Sequence, residues 1–154
     1  MTKMNRVLVC VLSGLILGMS AGGCASGSSD LNPSSDRNLR KPRKTFMADA
    51  AARAFPDPAP KAVKAPMRGE VDYFLHVINI VNLTDTPWEN VDVWINQKYV
   101  CHVVRLAPRR QEGVNFEVFY DKDGKRAPMR GVWVEKVQLV TDGKVYDLPL
   151  FAAD

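Results

Sequence analysis

The sequence predicts an all-β fold for residues 70–154, a small antiparallel β-sandwich. Three observations indicate this fold. Short runs rich in β-branched and aromatic residues begin near residue 70. Turn signals containing Gly, Asn or Asp separate the runs. No helical periodicity lies between them, so the segment is typical of two packed sheets or a small barrel.

The runs define six strands in order along the chain. The first, at 71–81, is apolar at both odd and even positions, which is typical of a central strand. The others are predicted at 89–96, 98–106, 114–120, 132–140 and 145–151. Tight turns are expected at 96–98, 121–125 and 141–144. This arrangement resembles immunoglobulin-like sandwiches in architecture only, because the Cys–Trp–Cys framework of antibody domains is missing.

The amino terminus has the three-part layout of a secretory signal. Lys3 and Arg6 precede a short apolar run, and small residues follow it up to Gly23. The sequence AGGC, ending at Cys24, resembles the lipobox of bacterial lipoproteins. The resemblance implies cleavage after Gly23, a diacylglycerol on the Cys24 thiol, and acylation of the new amino group.

The same resemblance implies a lipid-anchored protein of the cell envelope. Because Ala25 rather than aspartate follows the cysteine, it implies the outer membrane, with the domain facing the periplasm. The alternative is a single-pass protein whose N-terminal helix is not cleaved. The run from 7 to 24 only just reaches the length of a membrane span, and several Gly and Ser residues dilute it.

Residues 24–69 are predicted to be a basic, mostly disordered tether. They hold nine basic residues against four acidic ones, whereas residues 70–154 hold ten against thirteen. Five of the basic residues form a run that could bind an anionic membrane surface, or could simply be solvated. They are Arg37, Arg40, Lys41, Arg43 and Lys44.

Residues 45–55 are Ala-rich and could form a short helix, with Thr45 as N-cap and Pro56 ending it. So short a helix is marginal unless it docks on a surface. The segment could equally remain a disordered linker.

The sequence offers no catalytic constellation and predicts no cofactor. His76, His102 and Cys101 are too few for a usual structural zinc site, and neighbours on a strand point to opposite faces. Cys101 belongs to an apparently buried row, so it is not expected to be a nucleophile. Asp121 begins a calcium-like DKDG stretch, but a hairpin turn is the preferred interpretation.

Trp94 and Trp133 are the candidate ligand-stacking residues. Trp94 shares its strand face with Asp92, and Trp133 shares its own with Glu135, so both rings could face outward and stack on a sugar. The competing interpretation is that the rings are core or are covered by the helix at 45–55.

The first functional hypothesis is a non-enzymatic envelope lipoprotein whose sandwich binds another envelope protein. The second is a glycan-binding module that uses the tryptophans, and an enzyme is third. Nucleic acid is not an expected partner for an exported chain.

Overall fold

A computed structural model describes residues 39–128, 131 and 133–152. These residues form one helix and nine strands, and Phe116–Val118 forms a 3₁₀ turn. In chain order they are α1 (Arg43–Ala51), β1 (Val63–Lys64), β2 (Met67–Asp72), β3 (Val77–Asn82), β4 (Trp88–Ile95), β5 (Tyr99–Leu106), β6 (Gln111–Asn115), β7 (Val137–Thr141), β8 (Lys144–Asp147) and β9 (Leu150–Ala152).

The strands form two sheets that pack together, as expected for a β-sandwich. One sheet has the order β1-β8-β7-β4-β5 and the other β6-β3-β2-β9. Most neighbours are antiparallel, but β1 pairs with β8, and β2 with β9, in parallel. The predicted two-layer β architecture is therefore confirmed, whereas its purely antiparallel character is wrong.

The parallel pairs arise because two chain segments change sheets side by side. The segment from β1 to β2 crosses at Pro66, and the segment from β8 to β9 crosses at Pro149. Proline has no N–H to donate to a ladder, so it suits a point where a strand leaves one sheet for another. The Gly69 N–H donates to the Pro149 carbonyl oxygen at 2.8 Å, which ties the two segments together after the crossing.

Alternation along β4 separates the two faces of the five-stranded sheet. Val91, Val93 and Ile95 are completely buried in the core. The intervening Asp92 and Trp94 point to the opposite face. There they contact the chain just after α1, so the segment that follows the helix covers this outer face.

Helix α1 is part of the folded domain. Its Phe46 and Ala50 are buried, and Leu39 before it is buried as well. Of the two alternatives weighed for residues 45–55, a helix and a linker, the helix is present, but it begins at Arg43 after Pro42 and ends at Ala51. Core residues therefore begin at Leu39, before residue 70, and docking stabilises the apolar face of so short a helix.

The predicted strand at 71–81 is wrong, since this run contains a hairpin. Strands β2 and β3 pair antiparallel, and residues 73–76 form the turn between them. Asp72 accepts hydrogen bonds from the Phe74 and Leu75 backbone N–H groups, and His76 adopts a φ of 55°. A carboxylate that bonds to backbone two and three residues ahead favours a turn over an extended strand.

Three other predicted strands are only partly extended. The strand at 114–120 stops at Asn115, whose side chain caps the 3₁₀ turn. The strand predicted at 132–140 begins only at Val137, and Pro149 divides the one at 145–151. The turns at 96–98 and 141–144 are confirmed. Their central residues have positive φ, which is typical of two-residue hairpins.

Candidate interaction surfaces

The turn between β2 and β3 carries a cluster of exposed apolar side chains, here called the aromatic tip. It consists of Tyr73, Phe74, Leu75 and Trp133. Phe74 is 90% exposed and Trp133 is 73% exposed, and the other two are also exposed. Single exposed apolar residues are common on protein surfaces, but a contiguous group of large ones usually marks an interaction site.

The aromatic tip is held in one shape by ring contacts and hydrogen bonds. Tyr73 stacks on Trp133, with ring centroids 5.9 Å apart and planes 12° apart. The other side of Tyr73 meets the edge of the buried Phe116 ring at 6.5 Å. The Tyr73 hydroxyl accepts a hydrogen bond from the Val134 N–H at 3.1 Å. The exposed Trp133 ring is thus connected to the core through Tyr73.

Asn96, in the turn between β4 and β5, fixes the chain that carries Trp133. Its Nδ2 donates to the Trp133 carbonyl oxygen at 2.8 Å. Its Oδ1 accepts from the backbone N–H groups of Glu135 and Lys136, at 3.0 and 3.1 Å. A side-chain amide can satisfy a loop's backbone groups in this way where no strand pairs with them.

Backbone groups at the aromatic tip are already hydrogen-bonded within the protein. Asp72 Oδ1 accepts from the Phe74 N–H at 2.9 Å and from the Leu75 N–H at 2.8 Å. The His76 carbonyl oxygen accepts from the Phe116 N–H at 2.8 Å. Phe74 and Leu75 therefore present apolar side chains without a free backbone donor.

A second surface lies where the two chain segments change sheets, and is here called the corner groove. It encloses about 500 Å³. Its walls are mostly apolar, with Leu83 and Phe151 exposed at the surface. The lining residues are Lys64, Ala65, Pro66, Met67, Arg68, Leu83, Pro149 and Phe151.

The charge of the corner groove is positive. Lys64 and Arg68 are exposed there, and the described lining includes no carboxylate. The Arg68 guanidinium lies 5.9 Å from the centroid of the Phe151 ring, within cation–π range. The groove also adjoins β9, whose outer edge is paired with no other described strand. It therefore combines apolar walls, positive charge and a free strand edge.

Trp94 is not an exposed platform. It is 4% exposed, and the Phe55 ring covers it edge-on at a centroid distance of 5.4 Å. The expectation that Trp94 faces outward is wrong because the chain after α1 folds back over this face. The Trp94 Nε1–H has no hydrogen-bond partner within the described part of the chain. Of the two predicted stacking residues, only Trp133 presents an open ring.

The Asp92 side chain contacts both Arg53 and His102 beneath the segment that contains α1. Its Oδ1 accepts from Arg53 Nε and lies against His102 Nδ1, both at 2.7 Å. Asp92 and His102 are direct cross-strand neighbours on β4 and β5. No local pattern in the sequence indicates this cluster, because Arg53 reaches it only through docking of the helix. The side chains of all three are mostly buried.

Cys101, next to His102, lies on the other face of β5. It is buried, and loss of solvation raises the pKa of its thiol far above the ordinary value. A thiol of this kind is a poor nucleophile.

Within the described ranges, no three His, Cys, Asp or Glu side chains come together as metal ligands. The DKDG stretch is a turn in which Asp121 accepts from the Asp123 and Lys125 N–H groups.

The predicted membrane-related residues fall partly outside this structure. Gly23, Cys24 and Arg37 lie outside the described residues. Arg40 and Lys41 lie just before α1, and Arg43 and Lys44 are its first two residues, so all four follow the buried Leu39 and adjoin the folded domain. In the described part of the chain, no helix is both long and apolar enough to cross a bilayer.

Comparison with protein-family models, with curated proteins and with solved structures found no match for this chain. The aromatic tip was missed at the sequence level because its apolar residues fit a buried strand. Asp72, two residues before Phe74, was the available signal for a turn.

Proposed function

We propose that this protein is a non-enzymatic lipoprotein of the bacterial cell envelope whose β-sandwich binds another envelope protein. The lipobox-like sequence ending at Cys24 supports the anchor, and Ala25 favours the outer membrane with the domain in the periplasm. The domain follows the anchor closely, since Leu39 already belongs to its core.

We further propose that the sandwich is immunoglobulin-like. In that architecture the strands A, B and E share one sheet, and C, F and G share the other. In this comparison β2, β3 and β6 correspond to strands A, B and E. Strands β4, β7 and β8 correspond to C, F and G. Strand β5 extends the second sheet next to β4, as strand C′ does in variable-type domains.

The corner groove is the main support for protein binding. Its apolar walls can accept side chains of an extended segment, while the free edge of β9 can pair with the backbone of that segment. Lys64 and Arg68 favour an acidic residue in the bound segment. The partner is thus an extended peptide of mixed apolar and acidic character within a larger protein.

Crosslinking in intact cells tests this proposal. A photoreactive residue at Leu83 should give a discrete adduct with one protein. Arg68→Glu and Phe151→Ser should each reduce the adduct, because they remove the groove's charge and its exposed ring. Lys122→Glu makes the same charge change outside the groove and should leave the yield unchanged. Equal yields from all variants would contradict binding in the groove.

The arrangement of reactive side chains supports a role without catalysis. His102 is hydrogen-bonded to Asp92, as a general base is to its orienting carboxylate, but a hydrolytic site would also need a nucleophile within hydrogen-bond reach of His102. The neighbouring Cys101 points to the other face and is buried. Arg53 occupies the same carboxylate oxygen, which suits a structural ion pair holding α1 on the sheet.

Glycan binding is the second candidate, and Trp133 is the observation that favours it. One face of this ring rests on Tyr73, and the ring is otherwise open to solvent, as a sugar-stacking platform requires. Titration with cell-wall glycans should then change the tryptophan fluorescence saturably, and Trp133→Ala should abolish the change. A response that survives in Trp133→Ala would exclude this ring as the platform.

A further inference from the structure

We propose that the aromatic tip inserts into the surface of the bilayer that holds the lipid anchor, so that the domain stands on the membrane with the corner groove facing away. This inference rests on the proposed anchor at Cys24. It adds a second membrane contact, made by the folded domain itself.

The composition of the aromatic tip suits a membrane interface. Phe74 is the most exposed residue of the tip, and both Phe74 and Leu75 are purely apolar, whereas Tyr73 and Trp133 carry one polar group each on a large ring. Aromatic rings with a polar edge concentrate at the level of lipid headgroups, and purely apolar side chains go deeper. The tip therefore combines the two kinds of side chain that a membrane interface accepts.

Backbone hydrogen bonding distinguishes a lipid surface from a protein surface as the occupant. A lipid interior offers no partner for a backbone N–H, so each one must be satisfied within the protein before it enters. Asp72 already accepts from the N–H groups of Phe74 and Leu75, the two residues that would go deepest. A protein partner would impose no such condition, because it could supply its own acceptors.

The chain between Cys24 and Leu39 is long enough for this contact. Fifteen peptide steps can span at most about 50 Å. The longest described strands have eight residues and extend about 27 Å. The 24–39 segment can therefore span the length of the sandwich, so the lipid on Cys24 and the aromatic tip can reach the same bilayer.

Strand β2 joins the two surfaces and sets their separation. It begins at Met67, which lines the corner groove, and ends at Asp72, just before the aromatic tip. Six residues of strand extend about 20 Å. With the tip in the headgroup layer, the groove would stand about one strand length above the membrane, open to an envelope protein.

The test uses the lipidated full chain in vesicles of phosphatidylethanolamine and phosphatidylglycerol, with or without a phospholipid brominated in its acyl chains. Bromine quenches tryptophan emission at short range. We expect bromolipid to quench the wild-type protein, and Trp133→Phe to lose most of this quenching, because Trp94 is buried and Trp88 is half-buried against Tyr146 outside the tip. A double variant, Phe74→Ser with Leu75→Ser, should still float with the vesicles through its lipid anchor but lose most of the quenching.

Phe151→Ser is the matched control, since it removes an exposed aromatic ring that lines the corner groove rather than the aromatic tip, and it should leave the quenching unchanged. Floating protein without bromolipid quenching would overturn the tip inference and leave the anchor standing. Protein that does not float would overturn the anchor and, with it, this inference. A photoreactive residue at position 74 that labels a protein in cells and labels no lipid would also overturn it.

Discussion

Tyr73 and Trp133 stack with their ring planes 12° apart, although sixty residues separate them in the chain. The contact joins the β2–β3 turn to the segment before β7 and fixes the shape of the aromatic tip. It depends on hydrogen bonds at its two sides, one set from Asp72 and the other from Asn96. Each set gives a prediction.

Asp72→Ala should destabilise the domain by about 1 kcal/mol, because the N–H groups of Phe74 and Leu75 lose their acceptor at an exposed site. Asp72→Asn keeps a side-chain oxygen and should cost clearly less. Urea unfolding followed by circular dichroism measures the free energy of unfolding of both variants. Equal losses would show that the charge matters here and not the hydrogen bonds.

Asn96→Gly should lower the free energy of unfolding by about 1–2 kcal/mol, since three hydrogen bonds to the 133–136 segment are lost. Glycine tolerates the φ of 51° at this position, so the loss reports on the side chain rather than on backbone strain. Tryptophan emission should also shift as Trp133 loosens. Asp142→Gly is the control, because it relieves a similar positive φ in the β7–β8 turn and should be neutral or stabilising.

Gly69→Ala should destabilise the crossing between the sheets by about 1–3 kcal/mol through overpacking. A Cβ at this position would lie 2.5 Å from Leu148 Cδ2, closer than two carbon atoms can approach. In a Leu148→Ala background the clashing side chain is gone, so Gly69→Ala should lower the stability less there than in the wild-type protein. A double-mutant cycle of thermal unfolding measures this coupling. Purely additive effects would contradict the clash.

Cys101 should react very slowly with a thiol reagent such as DTNB in the native protein at pH 8. Burial raises the pKa of the thiol, so almost none of the reactive thiolate forms, and the reagent cannot reach the sulfur. In urea the reaction should become fast. Because the proposed lipid occupies Cys24 and Cys10 leaves with the signal, a single thiol per chain should be counted. Rapid reaction under native conditions would place Cys101 at the surface.

The proposed lipid anchor gives a prediction of its own. Cys24→Ser should abolish labelling by a fatty-acid analogue and leave the precursor uncut, because lipid attachment to the thiol precedes cleavage in this class of protein. Cys10→Ser is the matched control and should change neither result. Unchanged labelling of the Cys24 variant would refute the anchor.

The sequence predicts well a strand that begins after a clear turn signal. Strand β5 follows the predicted turn at 96–98, and the αL conformations of Asn96 and Gln97 fit a two-residue hairpin. The strand predicted at 71–81 was wrong because apolar residues at both odd and even positions are equally consistent with a buried strand and with an exposed turn. The hydrophobic pattern of these residues does not distinguish burial in a core from exposure to a partner.

The predictions for the candidate site residues also differ in how far a local pattern could decide them. Alternation along β5 was sufficient to predict that Cys101 is buried, since that depends on the pleat alone. It was insufficient for Trp94, which lies on the outward face and is nevertheless covered by Phe55. The cover comes from a segment almost forty residues earlier, and no local pattern records such a contact.

The amino-acid sequence alone determined the strand-rich character of the domain, its tight turns and the lipobox-like leader, because each of these depends on residues that are close neighbours in the chain. Tertiary structure decided where the sheets exchange strands, that α1 belongs to the core, and that Phe74 and Trp133 are exposed on one surface while Trp94 is not. These features depend on which distant segments pack together, and burial is a property of that packing.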